Sequence, residues 1–294
     1  MKAKGTRVGL ARLCRLFGVS RQAFYQQTWA EIDVSLEEEI VIQQVKAIRG
    51  QQPRLGGRKL LVMLEPVLQE HQIKMGRDAL FNLLAAHNLL VRRQKRCGPK
   101  TTDSRHRFKR WPNLTIDLKV MNTNELWVSD ITYIALDEGF AYLSLLTDVY
   151  SHKILGWALH PSLETDGPLA ALAQAITTLG SKKPNLIHHS DRGVQYADNR
   201  YVNLLQEYNI KISMTETGNP KENPIAERVN GILKQELIGE CKGLTFEQAS
   251  ARIDQVVAIY NRFRPHMSID YLTPEAAHLR NGELKNHWKK QYIK

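Results

Sequence analysis

The feature that most constrains the fold of this chain is the order of its apolar segments between residues 113 and 234. Three successive segments are rich in β-branched and aromatic residues and are separated by turn residues, which predicts an antiparallel meander: 126–134, 140–148 and 153–160. Helical and strand patterns then alternate: helix 165–179, strand 186–189, helix 198–208, strand 210–214 and a helix from residue 224. This order predicts an α/β domain with a mixed five-stranded sheet and helices packed against it.

The last helix of this series carries charged residues on one face. Asn223 is a favourable N-cap, and Pro224 suits the first helical position, where a missing N–H costs nothing. Glu227 and Lys234 are two turns apart, so at about 100° per residue they point the same way. Apolar residues at helical spacing predict the buried stripe of this helix: Ile225, Val229 and Ile232. An acid and a base on one helical face suit contact with a metal ion and a phosphate.

Two further acids occupy costly positions in the predicted strands. Asp130 lies inside the first apolar strand, and Asp191 directly follows the fourth. A carboxylate in such a place loses hydration unless something pairs with it. Taken singly, Asp191 is explained as a turn residue and Asp130 as a satisfied core group. Together with Glu227 they form a candidate cluster of three acids.

The order and spacing of these acids resemble the Asp-Asp-Glu (DDE) triad of transposases and retroviral integrases. Between Asp191 and Glu227 lie 35 residues, and Lys234 follows Glu227 by seven, as is typical of the integrase-like branch. Neighbouring words match as well: Trp-Val-Ser-Asp-Ile-Thr-Tyr at 127–133, His-Ser-Asp-Arg-Gly at 189–193 and Tyr-Asn-Arg-Phe-Arg-Pro-His at 260–266. From about residue 6 to about residue 280 the chain is similar to the second-frame product of insertion-sequence family three.

This resemblance implies a ribonuclease H-like catalytic core over residues 113–280, in which the first and fourth strands are neighbours. It implies a DDE polynucleotidyl transferase with two Mg²⁺ ions, or Mn²⁺ as a substitute, since hard cations prefer carboxylate oxygens. Asp130 would bridge both ions, Asp191 would hold one and Glu227 the other. Water would be the nucleophile for end cleavage, and a DNA 3′-OH would be the nucleophile for joining. Lys234 would contact terminal DNA of the element; its alternative is a solvated helical lysine.

Other polar residues near the triad have competing interpretations. Asp148 in the second strand is the strongest competing acid, because the sheet would bring it close. His188 and His189 suggest a metal site, but Mg²⁺ favours oxygen ligands and no other histidine spacing supports zinc. We expect both histidines to shape the site at the end of their strand.

The charge balance favours a polyanionic partner. The chain has 41 Lys and Arg against 30 Asp and Glu, and nucleic acid is the commonest partner of such a chain, although ribosomal, membrane-surface and heparin-binding proteins share the balance. Cys14, Cys97 and Cys241 form no Cys-x-x-Cys pair, so neither a zinc knuckle nor a disulfide framework is predicted. No apolar run predicts a signal peptide or membrane span, which favours a cytoplasmic protein that is nucleoid-associated when it binds DNA.

Residues 1–30 predict a helix-turn-helix. Gly18-Val19-Ser20 breaks an apolar helical stripe, and Ser20 is a good N-cap for a second helix. That helix would carry Arg21 and Gln22 outward near its start, where they would meet phosphates or base edges. The alternative is a two-helix packing unit that does not touch DNA.

Residues 31–91 predict three more helices, with Pro66 kinking or shortening the second of them. They resemble the second helix-turn-helix module of the family, or serve only in packing and subunit pairing. A basic linker at 92–112 and a basic tail at 281–294 flank the core, and the linker would track a phosphate backbone. The remaining candidate DNA contacts are Arg92, Arg93, Lys95, Arg96, Arg264 and His266.

The leading hypothesis is a transposase that acts on the terminal repeats of its element and on double-stranded target DNA, as a homo-oligomer on DNA. The family usually fuses a first-frame product to a chain like this one, so the chain is alternatively an incomplete subunit. Another alternative is a non-catalytic DNA-binding regulator, although a binding module has no use for a buried triad. A third is a structure-selective nuclease of the same fold, against which the paired helix-turn-helix patterns argue.

Overall fold

Four helices build the N-terminal part of the protein. The computed structural model describes residues 10–92, 111–137, 139–179, 185–216, 222–239, 241 and 243–288. The first range contains α1 (Leu10–Leu16), α2 (Arg21–Gln51), α3 (Gly57–Glu70) and α4 (Arg77–Ala86). Leucine, isoleucine and valine side chains from the second half of α2, from α3 and from α4 pack into one core. We call residues 10–92 the N-terminal module.

One continuous helix, α2, replaces two predicted helices. Its 31 residues run through the predicted boundary between residues 30 and 31, so the helix continues without a break at that boundary. The physical reason is that neither Gly nor Pro occurs from Arg21 to Arg49. Ser20 caps the helix as predicted and accepts a hydrogen bond from the Ala23 N–H at 3.0 Å. Pro66 lies inside α3, which continues to Glu70, so this proline does not end the helix.

A five-stranded sheet organises the remainder of the described chain. Its strands are β1 (Leu126–Leu136), β2 (Gly139–Asp148), β3 (Ile154–His160), β4 (Ile187–Ser190) and β5 (Lys211–Met214). The spatial order is β3-β2-β1-β4-β5. β2 is antiparallel to both of its neighbours, while β1, β4 and β5 are mutually parallel. The predicted mixed five-stranded sheet of a ribonuclease H-like domain is confirmed, including the pairing of the first and fourth strands.

Helices cover both faces of the sheet. They are α5 (Asp166–Thr177), α6 (Val194–Ala197), α7 (Asn199–Glu207), α8 (Pro224–Ile232), α9 (Phe246–Phe263) and α10 (Pro274–His278). A π-helical turn (Leu233–Ile238) continues α8, and a 3₁₀ turn (Met267–Ile269) follows α9. On one face, α5 and α7 enclose Trp127 and Leu146. On the other face, α8, the π-helical turn and α9 enclose Leu143 and Leu145, so α8 is held against the sheet beside β1.

The backbones of β3 and α5 approach each other closely at Gly156. A Cβ at that position would lie 1.9 Å from the Ala171 carbonyl oxygen, so only glycine permits this packing.

The last described segment is hydrogen-bonded to the core. The Gly282 N–H donates to the Met121 carbonyl at 3.0 Å, and the His287 N–H donates to the Met267 carbonyl at 2.8 Å. Residues 281–288 of the predicted basic tail are therefore held against the core. Most of the predicted basic linker lies outside the described residues, including Arg93, Lys95 and Arg96. Among the described helices, none has both the length and the apolar character needed to cross a membrane.

Candidate active site

The parallel pairing of β1 and β4 brings two of the predicted acids together. Val128 lies opposite His189 in this register, and Asp130 and Asp191 each follow two residues later. Both aspartates line one pocket at the point where the pairing ends. The same pocket is also lined by Gly193, Gln195 and Tyr196. Backbone hydrogen bonds of the sheet thus fix the relative position of the two carboxylates.

Asp130 accepts hydrogen bonds at both carboxylate oxygens. Oδ1 accepts from the Ile131 N–H at 2.9 Å, and Oδ2 accepts from Nδ2 of Asn230 at 2.7 Å. Burial and the neighbouring charge of Asp191 raise the pKa of Asp130 to about 7, with Glu227 adding to the rise and the bond from Asn230 opposing it. The ionised pair is therefore costly unless a cation lies between or beside the two carboxylates.

Two asparagines fasten α8 to β1. Asn230 makes the bond to Asp130, and Nδ2 of Asn223 donates to the Ser129 carbonyl at 3.1 Å. Asn223 occupies the N-cap position, but its side chain does not cap the helix as predicted, because it is directed to β1 instead. Asn230 is a site residue that sequence reasoning missed. The sequence feature that could have identified it is its position: Asn230 is a polar residue beside Val229 of the apolar stripe, one turn after Glu227.

Glu227 lies in the first turn of α8 and is exposed. Its charge acts on Asp130, which places it on the side of the aspartate pair. Across the described ranges, however, no group of three or more His, Cys, Asp or Glu side chains is close enough to hold a metal ion. The structure brings the two aspartates into one pocket, whose lining does not include Glu227.

Lys234 lies beyond α8, in the π-helical turn. Its Nζ donates to Oγ1 of Thr132 at 3.2 Å and lies 3.9 Å from the centroid of the Tyr133 ring. A π-helical turn winds more widely than an α-helix, so two regular α-turns do not describe the path from Glu227 to Lys234. Burial lowers the pKa of Lys234, while Asp130 opposes that change. The ammonium group is thus half-buried at the edge of β1, next to the aspartate pair.

The two histidines of β4 are neutral, buried groups that support the site. Burial lowers the pKa of His188 to about 3, and its Nε2 lies 2.9 Å from the Tyr201 hydroxyl. Nε2 of His189 donates to the Glu222 carbonyl at 3.2 Å, so its Nδ1 accepts from Oγ of Ser213 at 2.8 Å. His189 therefore ties the end of β4 to the residue that precedes the N-cap of α8.

Asp148 is a buried acid whose hydrogen bonds stabilise a turn. It accepts from the N–H and Oγ of Ser151 at 2.8 and 2.7 Å, and from the Asn124 N–H at 2.8 Å. It lies opposite Trp127, three residues before Asp130, and is absent from the residues that line the pocket of the aspartate pair. It does not compete for a role in the predicted triad.

Two of the predicted DNA contacts are corrected. Arg264 and His266 are only 1% and 4% exposed, so neither side chain is available to DNA. Arg264 instead donates to Oε2 of Glu236 at 2.7 Å, in the buried space behind α8. Arg21, Gln22 and Arg92 are exposed, and their contact with DNA stays a prediction.

Comparison with known proteins places this geometry in a family. Two models of the integrase core domain match residues 122–220 and 208–274. An uncharacterized 31 kDa protein of insertion element IS600 from Shigella sonnei is 32% identical over 274 residues, covering 90% of this chain and 96% of that protein. The transposase for insertion sequence element IS904 from Lactococcus lactis is 30% identical over 231 residues, covering 72% of this chain and 90% of that protein.

A third relative connects the chain to one insertion-sequence family. Transposase InsF for insertion sequence IS3A from Escherichia coli is 32% identical over 161 residues, covering 54% of this chain and 55% of that protein. The integrase core lies on the ribonuclease H-like sheet described above, and the matches extend beyond it into the helices on either side. The chain therefore belongs to the transposases of insertion-sequence family three, which carry an integrase core domain.

Proposed function

We propose that this transposase cleaves the ends of its insertion sequence and joins them to target DNA by metal-dependent polynucleotidyl transfer, with Asp130, Asp191 and Glu227 as the carboxylate triad. The observation that carries the proposal is the side-by-side placement of the two aspartates at the end of the β1–β4 pairing. A folded protein gains little from two carboxylates in one partly buried pocket. Their mutual repulsion becomes useful when a cation binds.

The residues present fit Mg²⁺. The predicted ligands offer carboxylate oxygens, which magnesium prefers, and the repulsion that raises the pKa of Asp130 is relieved by positive charge. Asp130 and Asp191 would hold the ion or ions, and Glu227 would complete the set; two ions, with Mn²⁺ as a substitute, are the proposed stoichiometry. When bound, divalent metal activates an oxygen nucleophile and stabilises the leaving oxygen of a phosphodiester.

The protein's own groups orient these ligands. Asn230 fixes the rotamer of Asp130 through the 2.7 Å bond to Oδ2, and Asn223 holds the start of α8 against β1. Both contacts limit how far Glu227 lies from the aspartates. Lys234, whose ammonium group lies beside the pocket, would bind a phosphate of the terminal DNA.

The proposed partner is double-stranded DNA, as element ends and as target. The excess of basic residues favours such a polyanion. We place phosphate contacts at Arg21, Gln22 and Arg92 and, outside the described residues, at Arg93, Lys95 and Arg96. Joining two element ends requires two sites, so we propose a homo-oligomer on DNA. A first-frame product is the proposed further partner.

The test is cleavage and joining of labelled DNA that carries the element's own ends, in Mg²⁺. Wild type is compared with Glu227→Gln and with Asp254→Asn, a matched acid-to-amide control at an exposed position of α9. We expect wild type and Asp254→Asn to join DNA, and Glu227→Gln to bind DNA without reacting. Equal activity of Glu227→Gln and wild type would exclude the triad.

The same assay separates an enzyme from a regulator. If wild type binds the ends but does not react, the assay is repeated with the chain fused to the first-frame product. Activity of the fused form alone identifies an incomplete subunit. Binding without reaction in both forms would overturn the proposed chemistry and favour a DNA-binding regulator.

A further inference from the structure

A buried group of charges connects the N-terminal module to the helix that carries Glu227. Glu236, in the π-helical turn after α8, accepts from Nη2 and Nε of Arg264 at 2.7 and 3.2 Å. Nζ of Lys59, in α3, lies 3.5 Å from the same Oε2 atom of Glu236. The side chains of Arg264, Lys59 and Glu236 are 1%, 13% and 22% exposed. We call these three residues the interdomain triplet.

The interdomain triplet carries a desolvation cost. Two cations share one carboxylate in a place with little water, and burial together with the charge of Arg264 lowers the pKa of Lys59 to about 8, although Glu236 opposes the change. Burial raises the pKa of Glu236, but Arg264 and Lys59 lower it overall. Buried ion pairs often add little to stability compared with apolar packing, and their best-attested use is to fix one arrangement of the parts they join.

The part that Glu236 fixes is the proposed catalytic helix. Helical backbone runs without a break from Pro224 through α8 and the π-helical turn to Ile238. Glu227, Asn230 and Glu236 all lie in that stretch, so continuous helical backbone connects the contacts of Glu236 to the other two residues. A π-helical turn holds one extra residue per turn and is often found at functional sites. Here the turn places Lys234 toward β1 and Glu236 toward the N-terminal module.

A second bond supports the same connection. Nε2 of Gln52, a buried residue at the end of α2, donates to the Phe263 carbonyl at 3.3 Å. Phe263 directly precedes Arg264, so this bond reaches the end of α9 from which Arg264 extends to Glu236. The N-terminal module therefore contacts the core, through Gln52 and Lys59, where Arg264 binds Glu236.

We propose that Lys59 and Glu236 are positioning residues, through which the N-terminal module holds α8, and with it Glu227 and Asn230, in the register that the reaction requires. The inference rests on the proposed function for its effect on rate, but not for the structural connection itself. Neither residue lines the pocket of the aspartate pair. A module detached from Glu236 would leave the β1–β4 pairing in place, because main-chain hydrogen bonds of the sheet set the register of Asp130 and Asp191.

The test compares Lys59→Met, Lys59→Arg and a matched control, Lys46→Met, at an exposed position of α2. The first measurement is hydrogen exchange of the full chain without DNA or metal. We expect Lys59→Met to lose protection in residues 224–238 while the core of α2, α3 and α4 keeps its protection. Lys59→Arg and Lys46→Met should resemble wild type. Unchanged protection of residues 224–238 in Lys59→Met would overturn the proposal, even if wild type proved inactive.

The second measurement is the single-turnover joining rate at saturating DNA. Because a misplacement of about 1 Å can cost up to about 100-fold in rate, we expect Lys59→Met to react at least about tenfold more slowly, with an affinity for DNA within about twofold of wild type. Lys59→Arg should restore the rate. A loss confined to DNA affinity would show instead that Lys59 is a binding residue.

The pH profile separates positioning from general packing. Lys59 faces Glu236, Arg264 and Arg228, and neutral His266 lies near Arg264. Above pH 8, Lys59 becomes neutral, whereas arginine at this position stays charged. The ratio of the Lys59→Arg rate to the wild-type rate should therefore rise with pH above about 8. A ratio that does not change with pH would contradict a role for the charge of Lys59.

Discussion

The strand aspartates and the helix glutamate reach the candidate site by different means. Asp130 and Asp191 are placed by main-chain hydrogen bonds between β1 and β4, which depend little on any single side chain. Glu227 is placed by a helical stretch that contacts β1 through side chains: Asn223, Asn230 and Lys234 make hydrogen bonds, and Ala226 packs against it. The strand pairing therefore positions the two aspartates, which we call the strand half of the site. Side-chain contacts position Glu227, α8 and the π-helical turn, which we call the helix half.

This difference indicates that the placement of α8, rather than that of the strands, could regulate the proposed reaction. The strand pairing keeps the two aspartates in one register whatever the helix does. Glu227 can complete the proposed set of carboxylates only when α8 is held in place. Substitutions in the sheet and in α8 should therefore fail in different ways.

Asp130→Asn should give the largest change. An amide cannot replace a carboxylate as a ligand for divalent metal, and several kcal/mol of lost transition-state stabilisation corresponds to a fall on the order of 10³ in the joining rate. In metal-free buffer the same variant should be more stable than wild type at pH 8. The pKa of Asp130 is raised in the folded state, so its contribution to stability is lost as pH rises through about 7.

The measurement is the free energy of unfolding in chelator at pH 5 and pH 8, with Asp148→Asn as the control. Because Asp130 is partly exposed, we expect a gain of about 1–2 kcal/mol at pH 8 and little at pH 5. Asp148→Asn should lose about 1–3 kcal/mol, because it disturbs three hydrogen bonds to a buried carboxylate. A destabilised Asp130→Asn at pH 8 would show that the aspartate pair does not repel.

Asn230→Ala should come next, with a fall of about 10- to 100-fold in the joining rate. The variant frees Oδ2 of Asp130 and loosens the middle of α8, but leaves the strand pairing intact. Asn223→Ala removes a bond to a backbone carbonyl that does not involve the carboxylates. We expect Asn223→Ala to cost about 1 kcal/mol in stability with a smaller effect on rate. Equal rate losses in the two variants would mean that α8 acts only as a rigid unit.

Cation affinity should depend on pH because of the aspartate pair. Protons and metal compete for Asp130, whose pKa of about 7 lies well above that of an ordinary aspartate. The affinity for Mg²⁺, measured by calorimetry without DNA, should fall by up to about tenfold per pH unit below pH 7. In Glu227→Gln the same pH dependence should persist, since the strand pairing positions the two aspartates. Affinity that is constant from pH 5.5 to 8 would contradict the assigned ligand.

The sequence predicted the strand half of the site, Asp130 and Asp191, better than the helix half. The β-branched runs around Asp130 and before Asp191 are local signals, and strand order follows from a small set of allowed topologies. Asn230 was missed because its partner lies 100 residues away in the chain. Arg264 was misassigned for the same reason, since its basic surroundings resemble a phosphate-binding segment while its burial depends on Glu236. No local pattern indicates the π-helical turn, which contains both Lys234 and Glu236 and directs them to different partners.

Lys234→Met should have the smallest effect, and it tests whether the helix half of the site also binds DNA. Because Lys234 would supply only one of several ion pairs with DNA phosphates, its removal should weaken DNA binding by about three- to tenfold and reduce the salt dependence of binding by about one counterion. Lys234→Arg should retain both, because a guanidinium keeps the charge over Tyr133. The measurement is affinity for end DNA across a salt series. If Lys234→Met lowers the joining rate but leaves the salt slope unchanged, Lys234 only holds the π-helical turn against Thr132. The helix half of the site would then position Glu227 without binding DNA.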